Sequence, residues 1–333
     1  MLKWIVLSIG CLLFPCFASD LVVYTARKEH LILPMIDLYQ KETGIKVKLQ
    51  TGKAAMLMQR LKMEGKRTPA DLLLTVDAGN LWHAKKNGLL LPLESPQLTA
   101  NVPEHLRDPD NSWFGLSIRA RTLVYHTGRV SASQLSTYEA LASSEWKGKL
   151  ALRTSKKVYN QSMVAMMIHA HGETKTQSIV EGWVENLNGT VHSSDTKALE
   201  ALIADKGDVA IVNTYYFGRL LKKNPNLPLK IFWPNQESES RKNSGVHVNI
   251  SGGAVLKYSK NPKEAQKFLE WLSGKSAQSL FAQLNMEYPV HPEVQMSSET
   301  KAWGRFNSSP VNLSVAGKLQ RKSVELMDRA RYR

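Results

Sequence analysis

The chain has 333 residues, 43% hydrophobic and 22% charged, with 44 lysines and arginines against 29 aspartates and glutamates, a formal charge of +15 at pH 7. That composition excludes a disordered or low-complexity chain and is enough for two ordinary cores. The basic residues are scattered, and neither zinc-finger spacing nor an RNA-binding aromatic signature occurs, so nucleic acid is not an expected partner.

Lys3 gives a positive start, residues 4–17 are apolar, and Ala18 is a small residue before Ser19. This is the pattern of a secretory signal peptide covering residues 1–18, with cleavage after Ala18. The apolar stretch is shorter than the roughly 18 residues of a spanning helix, and no later run reaches that length, so the protein is not expected to be embedded in a membrane. Both cysteines, Cys11 and Cys16, lie inside this segment. The exported chain is expected to carry no disulfide and to bind no metal through thiolate.

Residues 21–24 are apolar and predict a buried strand that ends at Tyr24. Residues 31–39 show helical spacing, with Leu31, Met35, Leu38 and Tyr39 on one side, and Gly44 stops that helix. Residues 45–49 alternate like a strand with one wet face, 54–64 form an amphipathic helix closed by Gly65, and 70–75 form a third strand. Strand, helix, strand, helix, strand predicts a parallel sheet with right-handed crossovers. Ligands sit beyond the carboxyl ends of such strands, which puts Tyr24, Gly52, Lys53 and Asp77 on one rim.

A second unit begins near residue 118. Residues 118–125 predict a strand with Arg119 and Arg121 on one face, an expensive arrangement unless they meet an anion, an acidic partner or open water. Tyr159 stands at the start of an apolar helix. Residues 194–203 predict a helix, with Asp195, Asp205 and Asp208 as cap and turn residues. Residues 208–214 form a buried strand that runs directly into Tyr215 and Tyr216, followed by Gly218 and Arg219. Two phenols side by side at a strand mouth are either ordinary half-buried aromatics or hard oxygen donors for a hard trivalent cation, which can displace the phenol proton. His169 and His171 are two apart on a helix and point to different faces, so they are not expected to ligate a metal together.

Residues 235–243 read as a polar, mobile segment, and 245–256 as a strand, a glycine break and another strand. Helices are predicted at 263–273 and 276–284, with one long last helix within 311–331. The whole predicts an α/β fold of two lobes, each a mixed sheet flanked by helices, joined by two crossing segments. The N-terminal lobe is expected to take residues 19–118 and 247–290, and the C-terminal lobe 119–246 and 291–333.

Several motifs occur in order: Thr25-Ala26-Arg27-Lys28-Glu29, Thr68-Pro69-Ala70-Asp71-Leu72, Thr75-Val76-Asp77-Ala78-Gly79, Arg119-Ala120-Arg121, Tyr159-Asn160-Gln161-Ser162, Asn213-Thr214-Tyr215-Tyr216, His247-Val248-Asn249-Ile250-Ser251 and Asn285-Met286-Glu287-Tyr288-Pro289. Together they resemble the periplasmic ferric-iron-binding proteins that serve ABC transporters, over residues 20–291. The resemblance implies a two-lobed periplasmic-binding-protein fold whose hinge is two crossing strands, and a place in the periplasm. It implies that Tyr159, Tyr215 and Tyr216, all from the second lobe, are phenolate ligands to Fe3+. It also implies that Arg119 and Arg121 hold a synergistic anion such as carbonate, with Tyr24 beside the site in the cleft. The chain departs from the family after the first strand. Where some members carry a histidine ligand it has Lys28, then Glu29, and His30 lies one step beyond. A three-tyrosine site completed by water or a small anion is therefore expected, with Glu29 and His30 as the remaining first-lobe candidates.

The implied partners are ferric iron and an inner-membrane ABC permease, met by a monomer. The alternative within the same architecture is a carrier for an anion or organic cation (a phosphonate, sulfate or polyamine) that meets the arginine pair directly. No Gly-x-Ser-x-Gly elbow, phosphate loop or His-Glu-x-x-His motif occurs, so an enzyme is not expected.

Overall fold

In a computed structural model, which describes residues 20–236 and 244–333, the first strand organises its neighbours as its apolar run requires. The expected signal segment, and residues 237–243 of the expected mobile segment, lie outside the described residues. β1 (Leu21–Thr25) pairs in parallel with β2 (Val47–Thr51) on one side and with β3 (Leu72–Val76) on the other. The helices Leu33–Thr43 and Ala54–Glu64 make the crossovers, and Gly44, with φ of +72°, ends the first in the left-handed conformation that glycine adopts without strain. Lys48 and Gln50 on the edge strand β2 are exposed while Leu49 is half-buried, the alternation its sequence carries.

The sheet then turns antiparallel. β3 pairs with β8 (Val248–Val255), and β8 pairs with β4 (Phe114–His126). β4 is 13 residues long because it serves both lobes. Its first half, to Ala120, lies beside β8, and its second half, from Arg121, pairs with β6 (Val209–Asn213) and β7 (Leu229–Phe232). β5 (Leu150–Ala151) adds a parallel edge on β6, giving the order β2-β1-β3-β8-β4-β6-β5. β4 crosses between the lobes, and the chain returns into β8 beside it, where the Arg121 backbone N–H donates to the His247 carbonyl at 2.9 Å. This is the mixed α/β, two-lobed architecture with a hinge of two crossing strands.

One core gathers Leu21, Leu72, Phe114, Ile250 and Phe268 around the first part of the sheet. Two others cover the second part, one with Leu123, Trp146, Met163, Trp183 and Ile211, the other with Val124, Leu199, Val212 and Phe217. At about 1.5–3 kcal/mol for each fully buried large apolar side chain, these clusters give each part of the sheet its own core. Near the C-terminus, Leu313 and Ala316 join the first core while Leu326 and Met327 join the second.

Two expected elements differ. Residues 248–255 form one unbroken strand, with Gly252 and Gly253 inside it. A Cβ on Gly252 would stand 2.7 Å from both Leu81 and the Phe114 carbonyl, and one on Gly253 2.6 Å from Leu74, so these glycines admit close neighbours instead of ending the strand. The last helix is two, Ser314–Lys318 and Gln320–Arg329, parted at Leu319. Among the described residues no helix is long and apolar enough to cross a membrane.

Candidate functional site

The strand-to-helix passage after β6 delivers the paired tyrosines. All five β6 residues are buried, and Asn213 keeps extended backbone (φ −76°, ψ 136°) before the helix Thr214–Lys223 begins at the next residue. Tyr215 and Tyr216 thus occupy the first turn of that helix, with ring centroids 4.5 Å apart and planes 36° from parallel. Tyr159 is the second residue of the helix Val158–His171. Both helix starts offer free backbone N–H groups and the positive end of the helix dipole, which favour a phenolate over a phenol.

The three rings meet around arginines. The Arg119 guanidinium carbon lies 4.8 Å from the Tyr159 ring centroid and 5.3 Å from that of Tyr215. Its Nη2 donates to the Tyr215 hydroxyl at 2.9 Å, and Asn213 Nδ2 donates to the same oxygen at 3.1 Å. Arg153 stands 5.3 Å from the Tyr159 ring and 5.9 Å from the Tyr216 ring, with Nη1 3.5 Å from the Tyr216 hydroxyl. Arg219 lies 5.0 Å and 5.9 Å from the rings of Tyr215 and Tyr216. Tyr215 is buried, whereas Tyr159 and Tyr216 keep partial access to solvent.

Burial works to raise the Tyr159 phenol, but the Arg119 charge, a hydrogen bond with Tyr215 and the Arg153 charge outweigh it and hold that phenol below the ordinary tyrosine value. Tyr215 goes the other way. Its burial exceeds the help of Arg119, and the neighbouring Tyr159, Tyr216 and Asp195 charges raise it further, well above the ordinary value. Adjacent phenols cannot all ionise unaided, because each phenolate repels the next. A trivalent cation among them removes that obstacle. Arg119 Nε and Nη1 and Arg153 Nε are buried and have no hydrogen-bond partner among the described residues. Buried donors of this kind are costly unless an acceptor meets them.

The other residues singled out by sequence have protein partners. Arg121 Nη2 donates to Asn160 Oδ1 at 2.5 Å and to the Ile211 carbonyl at 3.0 Å, while Nη1 reaches Asp195 and Asn213, each at 3.4 Å. It brackets the residue after Tyr159 to the residue two before Tyr215, so it sets where the two helices start, and among the described residues its buried Nε alone is left without a partner. Asp195, expected as a cap, is instead a buried counter-ion shared by Arg121 and Arg153, and it accepts the Asn213 N–H at 3.0 Å. Ser194 makes the cap, accepting from Lys197 N at 3.1 Å. Replacing Arg121 by Ala leaves the buried Asp195 carboxylate with the longer Arg153 contact as its remaining ion pair, and chemical denaturation should show a loss of about 3 kcal/mol.

Tyr24 is turned to another part of the first lobe. Its hydroxyl donates to Glu64 at 2.8 Å under the Arg60 guanidinium, and burial together with Glu64 pushes the phenol up to about 12. Tyr24→Phe should cost about 1 kcal/mol in denaturation and leave ligand binding at the tyrosine trio unchanged. Lys28, Glu29 and His30 are exposed in and beside the short turn Glu29–Leu31, while Arg27 is buried against Glu287 at 3.0 Å. Sequence reasoning missed Arg153, because a lone basic residue just past a short strand carries no pattern.

The family model "Bacterial extracellular solute-binding protein" matches residues 27–279. Iron uptake protein A1 of Synechocystis sp. is 38% identical over 321 residues, 95% of this chain and 88% of its own. A Trichodesmium protein (IdiA, FutA) solved in complex with iron and citrate ligands superposes with a TM-score of 0.89 at 39% identity, covering 95% of this chain and 100% of that one. The ferric binding protein from Campylobacter jejuni gives a TM-score of 0.85 at 33% identity, covering 94% and 100%. The chain belongs to the bacterial extracellular solute-binding protein family.

Proposed function

We propose that this protein captures ferric iron between its lobes through the phenolates of Tyr159, Tyr215 and Tyr216, and delivers it in the periplasm to an inner-membrane ABC permease after loss of residues 1–18. The carrying observation is the convergence of three tyrosine rings, from two helix starts, on two guanidiniums, Tyr159 and Tyr215 at Arg119 and Tyr159 and Tyr216 at Arg153. A phenolate is a hard donor of the kind a hard trivalent ion prefers. The names of the relatives, iron uptake and ferric binding, support the same reading.

Charge adds a second component. Three phenolates offset Fe3+, and the arginines at 119, 153 and 219 then remain as excess positive charge with Asp195 as a shared counter-ion. A carbonate or carboxylate-bearing anion, held by the open nitrogens of Arg119, answers that excess. The citrate found with iron in the complex of the Trichodesmium relative is of this chemical class. The same nitrogens favour an anion carrier as the second reading, while three guanidiniums speak against a polyamine. The lobes on either side of the cleft divide at the crossing of β4 and β8, with 19–118 and 247–290 on one side and 119–246 on the other, while 291–333, expected on the second side, serves both, since Leu313 and Ala316 pack in the first core and Leu326 and Met327 in the second. Closure about that hinge excludes water and presents the loaded form to the permease.

Titration of the purified protein with ferric citrate should develop the visible tyrosinate-to-iron band, saturating at one iron per chain. A protein that binds citrate or phosphonate yet stays colourless would establish the anion carrier instead.

A further inference from the structure

We propose that Asp77, on the first lobe, positions Tyr159 for the metal by holding the start of its helix through Ser162. This rests on the tyrosine reading above.

Asp77 follows β3 and is fully buried, with φ of +79°, a backbone conformation that costs a non-glycine residue about 1–3 kcal/mol and persists only where its surroundings impose it. Its N–H donates to the Ile250 carbonyl at 2.8 Å, and its Oδ1 accepts from Gly79 N at 2.9 Å to cap the helix Ala78–Lys86. Capping alone does not need a buried carboxylate, since serine or asparagine caps as well without a charge to desolvate. The remaining contacts account for it. Ser162 Oγ lies 2.7 Å and 2.8 Å from the two carboxylate oxygens, and Asn249 Nδ2 donates to Oδ2 at 2.9 Å.

Each partner leads to the site. Ser162 is three residues after Tyr159 on the same helix, so the two share one face. Asn249 stands opposite Arg119 in the pairing of β4 with β8. One first-lobe carboxylate therefore ties the end of β3, the crossing strand at the level of Arg119, and the Tyr159 helix. A second chain follows the same path: His83, on the helix that Asp77 caps, lies 2.5 Å from Gln320 Oε1, and Gln320 Nε2 donates to Gln161 at 2.9 Å. Tyr215 and Tyr216 depend on β6 and Asn213, which belong to the second lobe. Of the three phenols, Tyr159 is the one whose helix is anchored to the first lobe by Asp77. The body of that helix packs in the second lobe with Leu123 and Ile211, and Arg121 holds Asn160, so Asp77 seats only the first turn against the first lobe, and the third phenolate is fixed when the lobes are in register.

Two variants test this, Ser162→Ala, which removes the donor, and Asp77→Asn, which keeps the cap. The readouts are iron release to excess EDTA and the number of phenolates formed per iron, counted by ultraviolet difference absorption. In the variants release should be about tenfold faster, and the count should fall from about three to about two. A merely structural role could speed release but would leave the count at its wild-type value. Both variants retaining the wild-type phenolate count overturns the proposal whatever the release rate. A wild-type protein that forms no phenolate with iron would instead sink the underlying reading, a result distinguishable because it precedes any comparison of variants.

Discussion

Replacing Tyr215 by Phe is expected to bleach the ferric complex and to weaken iron binding by at least about 100-fold, beyond the usual effect of losing a group that merely supports a ligand. Tyr215 is the most constrained of the three phenols. Its oxygen receives both Arg119 Nη2 and Asn213 Nδ2, and its ring lies between the Arg119 and Arg219 guanidiniums and against Tyr216. Phenylalanine keeps the ring contacts, so the fold should survive. What it removes is the oxygen, which leaves two buried donors without an acceptor and the iron short of one negative charge. Visible titration with ferric citrate measures the loss, and the unfolding transition of the variant shows that the protein remains folded. The contrast with Tyr24→Phe is informative, since that hydroxyl serves Glu64 and its removal should leave the band intact.

Acid should release the iron steeply. Binding drives a proton from each phenol, so the affinity falls as protons become more available. The sign follows from Tyr215, whose burial and phenolate neighbours hold its proton more tightly than in free tyrosine. That proton is bound in the empty protein and lost in the complex. Tyr159, held below the ordinary value by Arg119 acting against burial, gives up its proton more readily than Tyr215. With three protons displaced, affinity should drop by about a thousandfold per pH unit as pH falls below neutrality. Competition against a chelator whose own protonation is known measures the slope. A slope near zero would mean that no phenolate binds the metal.

The alternating strands and helices of the first lobe were legible because each buries one clear face, and Tyr215 and Tyr216 were legible because a buried strand ran into them without a turn. Pairing order was not. Nothing in residues 114–126 says that half of β4 lies beside β8 and half beside β6, since both halves are equally apolar and the partners are distant in sequence. Gly252 and Gly253 illustrate the same limit, because only the neighbours show whether a glycine breaks a strand or admits one. Arg119 and Arg121 look equivalent in sequence and part company in space. Arg121 is enclosed by Asn160, Ile211, Asn213 and Asp195, and Arg119 keeps two nitrogens open beside the phenols. What separates the two is a counter-ion 74 residues from Arg121.

The central claim is that three phenol oxygens from one lobe share a single ferric ion. An anomalous-scattering map at the iron edge, from crystals loaded with ferric citrate, tests it most directly. One peak within bonding distance of the hydroxyl oxygens of Tyr159, Tyr215 and Tyr216 is the predicted result. A peak bonded to none of them, or to carboxylates elsewhere in the cleft, would contradict it.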